Sequence, residues 1–164
     1  MSETPATARE TAVDRRSDRE LVITRSFDAP VHLVFKAWAD IDVFIKWWVP
    51  KSFGITVVSY EADIRTGGSY RFVFRHPASE QPMAFFGRYL EVTPNQRLVW
   101  TNEESPDGST TTVSFSESDG GTLVVVSDLY PSKAALDEAV ASGSTGAFPE
   151  QFAALEQVLA GMSA

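Results

Sequence analysis

The sequence predicts an α+β domain in which a curtain of about six to seven antiparallel strands is covered by a C-terminal helix, with two short helices inserted after the first strand. Three observations carry that prediction. Apolar residues recur at helical spacing twice between Val31 and Trp48. The pattern then changes to strict alternation, broken by hairpin turns, from about Gly54 to Tyr130. Helical spacing returns at the end, where Phe148, Phe152, Leu155 and Leu159 step by four, three and four.

Each element has its own signal. Residues 1–19 hold almost no large apolar side chain and read as a disordered tail ahead of a single domain spanning 20–164. "LVITRSF" (21–27) is β-rich and opens the sheet. In "DAP", Asp28 stands near a helix cap and Pro30 in the first turn. Val31, Val34, Phe35 and Trp38 form one face of the first helix. Asp40 caps a second helix, on which Ile41, Phe44, Ile45 and Trp48 repeat the spacing; Trp47 lies about 100° around from Trp48. Pro50 disfavours helical geometry at Val49 and stops the helix there.

Six strands follow, in "GITVVSYEADI", "SYRFVFR", "MAFFGRYLEV", "RLVWT", "TTTVSFSE" and "TLVVVSDLY", separated by "TGG", "HPASEQP", "TPNQ", "SPDGS" and "SDGG". Consecutive hairpins make the sheet antiparallel, and such a sheet needs cover on one face. The terminal apolar stripe supplies it.

Composition narrows the function. The chain has 164 residues, 43% hydrophobic and 12% aromatic, which suits one domain with a large core. No apolar run approaches the roughly 18 residues of a membrane span, and the N-terminus has no apolar signal region. A charge of −8 opposes binding to nucleic acid or to anionic membrane. The absence of cysteine removes disulfides and thiolate chemistry and fits a cytoplasmic location. Two histidines far apart give no metal site, and no cofactor motif is present. His32 lies off the apolar face of the first helix, and His76 has no visible catalytic partner. Without G-x-S-x-G, a hydrolase triad has no support, and no catalytic residue is assigned.

Alternation assigns faces to the strands. Tyr70, Phe72 and Phe74 share one face and the arginines Arg71 and Arg75 the other, so the aromatic row points inward. Leu98 and Trp100 share a face; Tyr89 and Glu91 share one with Gly87, whose missing side chain leaves room for helix or ligand. Glu61, Asp63 and Arg65 also fall on one face, as a structural pair or, turned inward, as an anchor for a polar ligand group. "GG" at 67–68 supplies a hairpin turn with positive φ.

The chain resembles the START and birch-pollen-allergen superfamily, whose helix-grip fold has this order of elements. It is most similar to the branch named after the activator of heat-shock-protein-90 ATPase. The resemblance rests on "FDAPVHLVFKAWAD" (27–40), "KWWVP" (46–50), "ADIRTGGSYRF" (62–72), "GRYLEVTPNQRLVWT" (87–101), "DGGT" (119–122) and Gly143, Phe148, Phe152 and Leu155. It implies a curved sheet wrapped around a long C-terminal helix, with an apolar cavity between them. There are two departures. Ala147 and Phe148 stand where the family usually has Gly-Trp, and Pro149 interrupts the last helix, which is expected to kink or restart near it.

The resemblance implies a binder of a small apolar or amphipathic molecule. Trp38, Phe44, Trp47, Trp48, Tyr70, Phe72, Phe74, Tyr89, Trp100, Phe148 and Phe152 would line its cavity, with Asp63, Arg65 and Glu91 as polar anchors. One alternative is an enzyme like the polyketide cyclases and aromatases, using Asp63, Glu91 or Tyr89 as acid or base. Another is a protein-interaction or co-chaperone module with an exposed apolar patch near Trp47. A homodimer is compatible with the sequence, which holds no information on symmetry.

Overall fold

The computed structural model describes residues 11–49, 54–78, 80–103, 108–118, 120–141 and 148–162. Eight strands form one antiparallel sheet: β1 (Ala12–Arg15), β2 (Glu20–Phe27), β3 (Thr56–Ala62), β4 (Ser69–Arg75), β5 (Met83–Thr93), β6 (Arg97–Thr101), β7 (Thr110–Ser118) and β8 (Gly121–Leu129). Their order across the sheet is β1-β2-β8-β7-β6-β5-β4-β3. The meander from β3 to β8 follows from its hairpins, and β2 closes the other side by pairing with β8 along its whole length.

Among the described residues, four helices join the sheet. Helices α1 (Val31–Ala39) and α2 (Ile41–Trp48) follow β2, and α3 (Lys133–Ala141) and α4 (Phe148–Ala160) follow β8. The fold is therefore the expected α+β helix grip, with a strand and a helix more than the sequence showed. The additional strand lies within the segment read as a disordered tail. Ala12–Arg15 are exposed but pair with Leu21–Thr24, so backbone hydrogen bonds rather than apolar burial place them. The additional helix, α3, has only Ala135 and Leu136 buried, too narrow a stripe to register as periodicity.

Local signals place the helices. Asp40 caps α2 by accepting from the Asp42 N–H at 3.1 Å, as its position implied. Pro30, not Asp28, is the N-cap of α1, and no side chain caps that end. The described part of helix α4 runs from Phe148 to Ala160, with Pro149 as its second residue. Pro50, Asp119, Gly143, Thr145 and Ala147 lie outside the described residues, as do residues 1–10. Gly67 has φ 89°, the turn conformation expected of it.

The inward face of the sheet is read from register, because directly paired residues share a face. Leu21, Ile23, Arg25 and Phe27 of β2 point inward with Thr122, Val124, Val126 and Asp128 of β8. Thr111, Val113 and Phe115 of β7, Leu98 and Trp100 of β6, and Tyr70, Phe72 and Phe74 of β4 continue the layer. Helix α4 lays Phe148, Phe152, Leu155 and Leu159 against it, and α2 packs beside α4.

Candidate functional site

The site is built on one row across the concave face. Tyr89 pairs with Trp100, Trp100 with Thr111, Thr111 with Asp128, and Asp128 with Leu21, so five strands contribute one inward side chain each. The row begins aromatic, turns polar at Thr111 and Asp128, and ends on Leu21. Its aromatic half continues along β4, where Tyr70 meets Tyr89 with ring centroids 5.6 Å apart and Phe72 stacks on Phe74 at 6.1 Å.

The helices meet that wall through α2. Phe44 stacks on Phe72 at 5.8 Å and on Trp48 at 4.8 Å. The Trp48 ring lies 6.3 Å from Trp100 and 6.5 Å from Phe148, both edge to face. The carbonyl of Trp48 also accepts from Gln151 of α4, tying the two helices together at this point. All eleven aromatic residues read as cavity-lining thus join one layer between sheet and helices.

The two tryptophans exchange the roles expected of them. Trp47 is fully buried and Trp48 only half-buried. Trp47 wedges between Trp38 and Phe152, and its Nε1 donates to Ala37 O at 3.0 Å. Helical phase places both close to the apolar face, and the position of α1 decides which is enclosed. With Trp47 inside, its own ring offers no exposed surface.

The polar anchors expected from sequence lie elsewhere. β3 ends at Ala62, and Asp63 and Arg65 form an exposed ion pair at 2.7 Å in the turn before β4. Glu91 is turned outward by a β-bulge between Tyr89 and Glu91, where one extra residue reverses the alternation. On the outer face it accepts from Thr93 at 2.9 Å and pairs with Arg97 at 3.3 Å, contacts that hold its carboxyl below the usual range. Gly87 leaves no room for ligand or helix: a Cβ there would lie 2.0 Å from the Thr101 carbonyl oxygen, so it serves the close approach of β5 to β6. His32 is exposed, and His76 Nδ1 accepts from the Ala78 N–H at 3.0 Å, a turn contact.

Two inward charged residues were missed. Arg25 is buried beneath α4, ion-paired with Glu156, its guanidinium 5.1 Å from the Phe27 ring centroid. Asp128 is 7% exposed and accepts from Thr111 Oγ1 at 2.6 Å. Thr111 accepts in turn from Asn102 Nδ2 at 3.0 Å, while Tyr70 Oη gives its one proton to Thr101 O at 2.6 Å and lies 3.2 Å from Asn102 Oδ1. Asn102 Nδ2 also reaches Ser109 O at 2.8 Å. Burial pushes the Asp128 carboxyl up to about 6, against the Thr111 hydrogen bond that pulls it down. Burial likewise raises Tyr89 well above its ordinary range. The signal for both missed residues was the alternation itself, in "LVITRSF" and "TLVVVSDLY".

On the outer face, where β6 and β7 end, a cleft of about 480 Å³ open to solvent is lined by Arg88, Thr101, Asn102, Glu103, Ser109 and Thr110, among others; the Thr101–Thr110 pair alternates with Trp100–Thr111 and so points away from the row. Asn102 and Ser109 thus connect the cleft wall to the buried Thr111–Asp128 pair. Among the described residues, no cluster of His, Cys, Asp or Glu could hold a metal ion. None of their helices is long and apolar enough to cross a membrane.

A sheet gripping a C-terminal helix, with paired helices after the first long strand, defines the START-like helix-grip class. Within it, the chain belongs to the family described as Activator of Hsp90 ATPase homolog 1-like protein, whose model matches residues 28–160. Among solved structures, a protein from Rhodobacter sphaeroides is similar at TM-score 0.84 with 21% identity, covering 94% of this chain and 100% of its own. A protein from Nitrosomonas europaea is similar at 0.79 with 22% identity, covering 88% and 96%. One from Mycobacterium smegmatis is similar at 0.77 with 26% identity, covering 92% and 98%. No functionally curated protein matches the chain.

Proposed function

We propose that this domain binds a small amphipathic molecule between the concave face of the sheet and the α2–α4 pair. The observation that carries the reading is the cross-strand row itself, aromatic at Tyr89 and Trp100 and polar at Thr111 and Asp128. Apolar burial against the aromatic half supplies affinity, at roughly 25 cal/mol per Å² removed from water. A few polar groups at the other end set orientation, the usual division of labour in a ligand site. Trp48, half-buried over Trp100, is the ring that moves to admit the ligand.

Native mass spectrometry of gently purified protein, beside a denatured control, tests this. A mass excess that vanishes on denaturation supports the reading, and the released molecule is then identified. An apo mass together with no binding from a panel of apolar and amphipathic compounds would overturn it.

A second reading, an enzyme of the cyclase type, draws on one observation. Asp128 is a carboxyl on the concave wall with its affinity for protons raised toward neutrality, as a general base requires. Asp63 and Glu91 lie off that wall and drop out as candidates, while Tyr89 stays on it. If a molecule recovered from the protein is converted on re-incubation and Asp128→Asn abolishes the conversion, this reading replaces simple binding.

A further inference from the structure

A buried carboxylate normally pairs with a cation, because removing its charge from water costs several kcal/mol. Asp128 is an exception within its own sheet. Among the described residues its hydrogen-bond partner is Thr111, a neutral hydroxyl, and no Lys, Arg or His forms an ion pair with it. The nearest inward cation by register is Arg25, opposite Val124 and so four residues along β8, or roughly 13 Å away. Arg25 is already paired with Glu156. Nor does the backbone need a carboxylate here, since Val124 and Val126 fill equivalent positions on the same strand.

The surroundings of Asp128 favour one kind of occupant. Its neighbours along the row are Thr111, then Trp100 about 10 Å away across two strand spacings. Beyond Thr111, Asn102 and Ser109 continue the neutral hydrogen-bonding groups to the strand ends, where they border a cleft on the outer face. Tyr130, half-buried beside it, is raised to about 12 by burial and by the Asp128 charge, so it stays a neutral phenol. The group is thus an acceptor beside neutral hydroxyls and an amide, in a chain of net charge −8. A ligand carboxylate or phosphate would meet like charge there, and a plain alcohol would leave the charge uncompensated.

We infer that Asp128 is the recognition point for a cationic head group, so that the ligand is an amphiphile with a protonated amine at one end and an apolar body lying toward Trp100 and Tyr89. This rests on the proposed ligand-binding function and narrows it to a substrate class. Thr111 Oγ1 holds the carboxylate in place until the ammonium arrives and donates to it.

The test uses the full chain and three probes of equal length: octylamine, octanol and octanoate, titrated at pH 7.5 and followed by tryptophan fluorescence. The expected result is octylamine binding at least tenfold tighter than octanol, with octanoate weakest. In Asp128→Asn the amine preference should collapse to within threefold of octanol. Equal affinity for amine and alcohol in the unmodified protein would overturn the inference and leave the binding function standing. An amine preference surviving in Asp128→Asn would overturn it too, because surface charge would then be the cause. Failure of every probe would count against the binding function itself and against this inference with it. Should Asp128→Asn not fold, the unmodified protein decides by pH: between pH 7.5 and pH 5 the carboxyl takes up its proton while octylamine stays charged, so the amine's advantage over octanol should shrink at least threefold, and an unchanged advantage overturns the proposal.

Discussion

The rings of Trp38 and Trp47 meet edge to face with centroids 4.6 Å apart, and this contact joins α1 to α2. Trp47 adds a hydrogen bond to Ala37 O and a contact to Phe152, so three helices converge on one indole. Trp47→Phe should therefore destabilise the domain by about 3 kcal/mol, from the lost bond and the cavity left behind. Trp48→Phe, at a half-buried position, should cost about 1 kcal/mol and act mainly on ligand affinity. Urea denaturation of the two variants checks this; equal costs would mean that the two rings share one role.

Gly87 gives a second prediction, on backbone approach. Gly87→Ala would place a Cβ 2.0 Å from the Thr101 carbonyl oxygen, and backbone cannot swing aside as a side chain can. The same carbonyl accepts from Tyr70 Oη at 2.6 Å, so any retreat also disturbs the polar end of the row. A loss of about 3 kcal/mol is expected, larger than the intrinsic preference for alanine over glycine could offset. A thermal midpoint within a few degrees of the unmodified protein would refute the close approach.

These positions show what sequence alone could convey. Alternation through "SYRFVFR" and spacing through "FPEQFAALEQVL" reported burial directly, because the inward side chains are large and, but for Gln151, mainly apolar. Glu91 was misplaced because alternation cannot show a bulge: nothing around Leu90 marks the extra residue that turns the strand over. β1 was missed for a different reason, being held by backbone pairing with exposed side chains. Asp128 and Arg25 were legible in the alternation but ran against the habit of reading charge as exposure. Such conflicts between local rule and position are where functional groups tend to stand.

Arg25 and Glu156 give the third prediction. The pair ties β2 to α4, with the arginine side chain 9% exposed and the glutamate 40%. Glu156→Gln removes the countercharge of a buried guanidinium and should cost about 2 kcal/mol, less than for a fully buried pair because the glutamate is partly hydrated. Adding Arg25→Met to that variant should restore at least half of the loss, since the charge that needed compensation is gone. A double-mutant cycle by urea denaturation measures this, and strictly additive costs would show that the two residues act independently.

Asp128 ties stability to pH with a definite sign. Its carboxyl titrates near 3.8 in the unfolded chain and near 6 in the folded one, so between those values the folded state holds the extra proton. The contribution to stability is complete below about pH 3.8 and is lost as pH rises through 6. The amplitude is about 3 kcal/mol. Glu91, Glu103 and Asp137, whose carboxyls are lowered by their hydrogen bonds and cationic neighbours, carry the opposite slope at more acid pH. They are unchanged in Asp128→Asn, so their effect cancels in the difference between the two proteins. Urea denaturation at pH 4.5, 5.5, 6.5 and 7.5 should find the unmodified protein losing stability relative to Asp128→Asn across that span. Parallel curves would mean that the carboxylate is hydrated in solution, and the reason to look for a cationic partner at Asp128 would go with it.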